Sequence, residues 1–289
     1  VIDRILKPHY VYRPTQAGRR FLHALSGSRP SSAVVTLPWG LPLRIDATED
    51  VGRSIWNLGV HDLAVSETLW RLLGHGDLAL DVGANIGHMT SLMAWRTGPG
   101  GRVLAFEPHP EVFRQLAENV ALFGRHRSAA TVECFPVAMG AAAGASFLEC
   151  TDYFATHHGT ARLTDHETPI PVRVTTLDEA LGDRTAAVAK IDVEGGELGV
   201  LQGGARALAA GRVRSLVYEA YPAERQRLAG HLAPYGYRIF AVGWNLRGLL
   251  LSGPTEAPRV PGFQSPNFVA TLDPDVVLPR LERRGWQVL

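Results

Sequence analysis

The sequence predicts an α/β fold with a mostly parallel sheet covered by helices on both faces. Two observations lead to it. Short, near-continuous apolar runs alternate with helical segments from about residue 78 onward, the pattern of strands buried on both faces. The run Leu78-Ala-Leu-Asp-Val-Gly-Ala-Asn-Ile-Gly87 also reads as a buried strand that ends in an acid and enters a glycine turn opening a helix.

In chain order, residues 1–60 form a basic N-terminal extension broken by Pro8, Pro14, Pro30, Pro38 and Pro42. A helix around Thr15 to Leu25 and a hairpin around Ala33 to Ile45 are its expected contents. Residues 61–289 form the second unit. Ser66 is expected to cap a helix over Glu67 to Leu73 that stops at Gly74. Strands are expected at 78–82, 102–107, 131–136, 187–192, 214–219, 237–242 and 267–271, and helices near 86–97, 110–123, 195–210 and 222–233. Along 110–123, Val112, Phe113, Leu116, Val120 and Leu122 are spaced so that most share one face, as a sheet-covering helix requires. Gly140 to Val174 is an insertion between the third and fourth strands. Its polar run contains His157 and His158 and could fold over a substrate. No second glycine turn marks the later strands, so one decorated domain is expected rather than a doubled dinucleotide fold.

Composition narrows the classes. The formal net charge is +1, which gives no global field toward nucleic acid or an anionic membrane. Cys134 and Cys150 are the only cysteines, too few for a disulfide framework or a zinc site, and a reduced, cytoplasmic enzyme is expected. No apolar run has the roughly 20 residues of a membrane span, and the N-terminus lacks the apolar centre of a signal peptide. The basic extension could serve as an anchor, a homo-oligomer contact or a cover for a hydrophobic edge. Only Lys7 and Lys190 are lysine among otherwise arginine bases.

The chemistry concentrates at strand ends. Glycines at Gly83 and Gly87 follow Asp81, and Asn85 stands where a G-x-G-x-x-G fingerprint has its second glycine, which disfavours a pyrophosphate. The next strand, Arg102-Val-Leu-Ala-Phe-Glu107, ends in an acid suited to a ribose diol. A later apolar strand runs into Lys190-Ile-Asp-Val-Glu-Gly-Gly-Glu197, whose Asp192 and Glu194 would face the same crevice as Gly83. Together with A-F-E-P-H-P at 105–110 and T-T-L-D-E-A at 175–180, these motifs resemble the FkbM family of S-adenosylmethionine (SAM)-dependent methyltransferases over about residues 60–221. Gly196 departs from the family's usual alanine, a benign change between small residues.

The resemblance implies a three-layer, Rossmann-like methyltransferase fold with a seven-stranded sheet. It implies SAM as methyl donor, and most often an oxygen acceptor on a sugar, polyketide or other secondary metabolite. Gly83, Asn85 and Gly87 would pass beneath the methionine and ribose of SAM, and Glu107, followed by Pro108, would hold the ribose hydroxyls. Pro136 to Met139, Ala138 included, would line the adenine, and Thr90 and Asp81 would meet the amino-acid portion. A hydroxyl acceptor needs a base or a metal. Asp192 ranks first as base, also as a cofactor contact, ahead of Glu194, His88 and the His157–His158 pair. Asp192 and Glu194 could instead cap the helix that follows. Lys190 could pair with Asp192 or Glu219 or orient the acceptor. Asp192 with Glu219 could hold a divalent cation, with no third ligand evident. His61-Asp62 could close over the methionine end of SAM. The partner is expected to be a small molecule rather than nucleic acid: no N-P-P-Y signature and no basic face with interleaved aromatics occur. A nicotinamide-dependent oxidoreductase and a non-catalytic SAM-fold module are the alternatives from other classes, and N- or carboxylate methylation the alternatives within it.

Overall fold

The computed structural model describes residues 7–27, 29–150, 161–164, 166–254 and 266–289. The N-terminal part comprises α1 (Pro8–Val11), α2 (Pro14–Ser26), the hairpin β1 (Ala33–Thr36) and β2 (Pro42–Ile45), and α3 (Asp50–Leu58). It leads through α4 (Leu63–Leu72) into the alternating part: β3 (Leu78–Val82), α5 (His88–Thr97), β4 (Arg102–Phe106), α6 (Pro110–Phe123) and β5 (Thr131–Phe135). Then come β6 (Val137–Met139), β7 (Gly144–Glu149), β8 (Arg162–Thr164), β9 (Pro171–Thr175) and α7 (Leu177–Leu181). The chain continues with β10 (Ala186–Ile191), α8 (Glu197–Gln202), α9 (Ala205–Ala209), β11 (Val213–Glu219) and α10 (Pro222–Leu232). It closes with β12 (Arg238–Asn245), β13 (Gly248–Ser252), β14 (Asn267–Thr271) and α11 (Pro274–Leu281).

The main sheet has eight strands in the order β13-β12-β14-β11-β10-β3-β4-β5, with parallel pairing from β11 through β5 and antiparallel pairing from β11 to β13. Each of the seven expected strands is present. The eighth, β13, was not expected: Asn245 and Gly248 close a tight turn after β12, and the chain folds straight back as a hairpin. The sheet is therefore mixed and larger than the seven strands expected.

Strand periodicity divides the core in two. Ala79, Val103, Val188 and Val217 face a cluster that includes Leu41, Leu43 and Ile45 of the hairpin, Leu63 and Leu69 of α4, and Leu92 of α5. Leu80, Leu104, Ala189 and Leu216 face the opposite cluster, which takes in Leu177, Val200, Leu208 and Leu228. The N-terminal hairpin thus shares its core with one face of the main sheet. The insertion forms a second sheet, β6-β9-β7-β8; His157 and His158 lie outside the described residues.

Local boundaries differ from expectation in two places. The helix expected to start after Ser66 begins at Leu63. Asp62 is its cap, accepting from the Val65 amide at 3.1 Å, while the Ser66 hydroxyl donates to the His61 carbonyl. Burial of Leu63, Ala64 and Val65 recruits that first turn. The helix expected over 195–210 splits into α8 and α9 at Gly203–Gly204. A Cβ on Gly203 would lie 2.1 Å from the Gly140 carbonyl oxygen and one on Gly204 2.5 Å from Leu177, so the break lets the second sheet and α7 approach.

One side chain joins the hairpin to the glycine turn. Asn119 of α6, buried, accepts from the Arg44 amide at 2.7 Å and donates to the carbonyls of Arg44 at 3.0 Å and Ile86 at 2.8 Å. Asn119→Ala leaves these backbone groups without their partner, and urea unfolding should show a loss of about 1–3 kcal/mol. A change under a few tenths would mean that the turn holds its shape without this link.

Candidate functional site

A cavity of about 390 Å³ opens at the carboxyl ends of β3, β4 and β10, where open α/β sheets take their ligands. Its volume lies in the range of roughly 300–1,000 Å³ common for small-molecule sites. The glycine turn forms one wall, Phe106 to Pro108 another, Val137 to Met139 a third, and Asp192 to Gly196 a fourth. Leu148, Arg162 and Leu163 of the insertion complete it, with His61 and Asp62 before α4 and Glu224 of α10.

The turn's geometry comes from protein contacts. Gly83 has φ +78°, and a Cβ there would lie 1.9 Å from the Asp192 carbonyl oxygen. Glycine at 83 therefore lets the loop after β10 close against the end of β3. Gly87, at φ +90°, faces Leu116 of α6, which an added Cβ would meet at 2.9 Å. All the amides of this turn are committed. Gly83 and Ala84 donate to the Phe106 carbonyl, Asn85 to Glu107 Oε2 at 3.0 Å, Ile86 to Asn85 Oδ1 at 2.7 Å, and Gly87 to the Ala84 carbonyl. Asn85 itself takes a left-handed conformation, φ +49°, to reach this arrangement.

Glu107 is held at the tip of β4 by two backbone donors, Asn85 on Oε2 and His109 on Oε1. Burial nevertheless raises its carboxyl to about 7, the backbone hydrogen bonds and Lys190 pulling the other way.

Beneath the turn lies a buried ionic cluster. The register of β3 against β10 sets Lys190 opposite Asp81. Lys190 Nζ donates to the Gly83 carbonyl at 2.9 Å and lies 3.4 Å from Asp81 Oδ1 and 3.2 Å from Asp192 Oδ2. Thr90 Oγ1 donates to Asp81 Oδ2 at 2.6 Å. Burial is the largest influence on Lys190 and lowers it, but Asp192 and Asp81 together outweigh burial and hold the ammonium above its ordinary value. Burial raises Asp81, opposed by Lys190 and the Thr90 hydroxyl.

The loop after β10 carries Glu194 at φ +55°. Burial, then the charges of Asp192 and Glu219, raise Glu194 to about 7. Glu197 Oε1 accepts from the amides of Val193 at 3.0 Å and Gly195 at 3.3 Å and so fixes the loop. Burial disfavours the charged form of two nearby histidines. It lowers His88 well below its usual value, with His61 and Lys190 adding to the effect, and it lowers His61 against the opposing pull of Asp62 and Asp192. His88 Nε2 accepts from the His61 amide at 3.4 Å.

Of the residues singled out from sequence, Gly83, Asn85, Glu107, Pro108, Ala138, His88, Lys190, Asp192 and Glu194 line this one cavity. Asp81, Gly87 and Thr90 lie behind its wall: Asp81 accepts from Thr90 and pairs with Lys190, and Gly87 packs on α6. Asp192 and Glu194 do not cap the following helix, which starts at Glu197. Glu219 ends β11 outside the cavity lining, and among the described residues no three His, Cys, Asp or Glu cluster as a metal site. His61 and Asp62 are on the wall, but Asp62 is occupied as helix cap and as acceptor from Asn267 Nδ2 at 3.0 Å. Sequence reasoning missed Glu224, Arg162 and the loop-fixing role of Glu197. For Glu197 the signal was present, since an acid two residues after Gly195 can turn back on the amides before it; Glu224 and Arg162 arrive through tertiary packing alone.

The raised carboxyls set a pH dependence of stability. Glu107 and Glu194 titrate near 7 when folded against an ordinary 4.5. The folded chain thus holds more protons than the unfolded one across that window, and stability falls as pH rises from about 4.5 to about 7. Glu194→Gln should flatten that decline in chemical-denaturation midpoints measured from pH 5 to 8; an unchanged slope would mean that Glu194 titrates normally.

The Methyltransferase FkbM domain model matches residues 81–239, more than half of the chain. No curated protein sequence matches it. Among solved structures, methyltransferase FkbM from Methylobacillus flagellatus KT is similar at 17% identity and a TM-score of 0.47, with 67% of this chain and 43% of that one covered. An rRNA methylase from Streptococcus thermophilus gives 11% identity and 0.41, covering 71% and 91%. Aeropyrum pernix fibrillarin in complex with S-adenosyl-L-methionine gives 15% and 0.38, covering 72% and 73%. This chain spans less than half the length of the first of these, and likenesses this distant bear on neither substrate nor residue roles. The family match, extending from the strand-end acid Asp81 through the loop at Glu194 and on to β12, shows that the chain belongs to the FkbM methyltransferase domain family.

Proposed function

We propose that this chain transfers a methyl group from SAM to a hydroxyl oxygen of a small molecule such as a sugar or polyketide. The observation that carries the choice of cofactor is the commitment of the turn amides. A dinucleotide's pyrophosphate needs free N–H groups at this turn, yet each amide from Gly83 to Gly87 already has an acceptor, and Asn85 donates to a carboxylate. The lining is also rich in acids (Asp62, Glu107, Asp192, Glu194 and Glu224) against Lys190 and Arg162. Such a wall suits a cationic ligand and opposes a pyrophosphate.

The residues present fit SAM, which when bound supplies an electrophilic methyl on a sulfonium. Each oxygen of Glu107 has one backbone donor and further lone-pair capacity for a ribose hydroxyl. Val137 to Met139 offer an apolar wall for the adenine. Holding donor and acceptor in line accounts for much of the acceleration in such a transfer.

The hydroxyl proton is assigned to Glu194. A carboxyl near 7 is divided between its two forms at neutral pH, the condition under which a general base is most effective. Lys190 anchors Asp192, and the Asp192 charge in turn helps to raise Glu194. Glu194 would take the acceptor's proton as the methyl that SAM supplies passes from its sulfur to the acceptor oxygen, the donor leaving as a neutral thioether. On this reading the base is Glu194, two residues beyond Asp192, which sequence reasoning had ranked first. Arg162 on the same wall favours a second acceptor class, a carboxylate, which needs no base.

Turnover can be followed with methyl-labelled SAM and an acceptor found by screening metabolite fractions. With a hydroxyl acceptor, kcat should rise with pH through about 7, and Glu194→Gln should lower it by roughly 10²–10⁴ with little change in the KM for SAM. A pH-independent kcat that survives Glu194→Gln would point to the carboxylate acceptor. Glu107→Ala should weaken SAM binding by roughly tenfold to a hundredfold, and unchanged affinity would remove Glu107 from the ribose site.

A further inference from the structure

Helix α2 is mounted with its polar side inward. Gln16 is buried and its Nε2 donates to the Trp56 carbonyl at 3.4 Å, and the His23 ring stacks on Trp56 at 4.0 Å between centroids. At 3.6 residues per turn these two side chains share one face. The opposite arc, Ala17, Phe21, Leu22, Ala24 and Leu25, points to solvent, with Phe21 65%, Leu22 64% and Leu25 70% exposed. A helix on the surface of a globular protein normally does the reverse. Arg19 and Arg20 stand at the two edges of the apolar arc, both exposed.

Charge along this stretch of the sequence is one-signed. Between Asp3 and Asp46 the sequence has seven bases and no acid, although the chain as a whole is only +1. Under the helix runs a groove of about 340 Å³ lined by Arg13, Arg19, His23, Val34 and Trp56. The Trp56 indole N–H is buried there without a hydrogen-bond acceptor among the described residues.

We propose that α2 is a membrane-surface docking element that lays Phe21, Leu22 and Leu25 into the interface of a bilayer containing anionic phospholipid. An apolar arc flanked by arginines is the arrangement of a helix lying in the plane of a bilayer. The stems of Arg19 and Arg20 can follow the apolar surface while their guanidinium groups reach lipid phosphates. Charge selects this occupant over others. A second copy packed by two-fold symmetry would set Arg19 and Arg20 against their own equivalents, and RNA would use the arginines but leave three large apolar side chains in water. Docking is peripheral, since no described helix is long and apolar enough to cross a membrane. The proposal does not rest on the methyl-transfer reading.

Flotation of the full chain with vesicles tests it, comparing phosphatidylcholine alone with phosphatidylcholine containing phosphatidylglycerol. The chain should float with the anionic vesicles, more weakly at high salt, and hardly at all with the neutral ones. Phe21→Glu with Leu25→Glu should abolish flotation, and Arg19→Glu with Arg20→Glu should weaken partition more than roughly tenfold. Unchanged chemical-denaturation midpoints would show that both variants remain folded. Three outcomes overturn the proposal: no flotation of a monomeric chain, a dimer by light scattering that Phe21→Glu with Leu25→Glu dissociates, or salt-sensitive RNA binding without flotation. Flotation indifferent to the four substitutions would overturn the role of α2.

Discussion

The Lys190 ammonium is the tie on which the rest of the site depends. It is buried between β3 and β10 and reaches three oxygens: the Gly83 carbonyl of the turn, Asp81 behind it and Asp192 on the rim. A charge so enclosed is stable only with its partners in place, and removing one partner of such a cluster costs about 3–5 kcal/mol. The same contacts fix where the cavity's walls meet. Gly83 must be glycine because the loop carrying Asp192 closes on it, and Asp192 sits where Lys190 holds it. The ammonium also keeps a negative charge beside Glu194, which contributes to that group's raised titration. A single interaction thus connects strand register, turn geometry and the raised titration of Glu194.

That connection explains the only lysine in the main-sheet part of a chain otherwise reliant on arginine. A guanidinium is planar and broad, whereas the cluster requires a compact cation with three donors directed to three different elements. The hydrogen-bonding of the turn belongs to the same design. With its amides satisfied by protein, it acts as a rigid edge that presents Glu107, rather than as a nest for phosphate.

Much of this was legible in the sequence because it resides in short-range patterns. Seven strands, the hairpin, α2 and α6 follow from periodicity and punctuation, and the motifs at Asp81–Gly87 and Lys190–Glu197 place acids at strand ends. What escaped was decided by tertiary contact. The Gly203–Gly204 break exists because the second sheet and α7 approach it, and the earlier start of α4 reflects buried Leu63 to Val65. The pairing of Asp81 with Lys190 likewise follows from the register of β3 on β10. The outward apolar face of α2 was also beyond sequence reading. Its amphipathic pattern is plain, but only the packing of His23 on Trp56 reveals which side faces the protein.

Under the proposed function the cavity takes a cationic nucleoside and refuses a dinucleotide. Isothermal titration of the full chain with SAM and with NAD tests this most directly. The account predicts saturable binding of SAM, lost in Glu107→Ala, and no measurable heat from NAD. Saturable binding of NAD with none of SAM would contradict it.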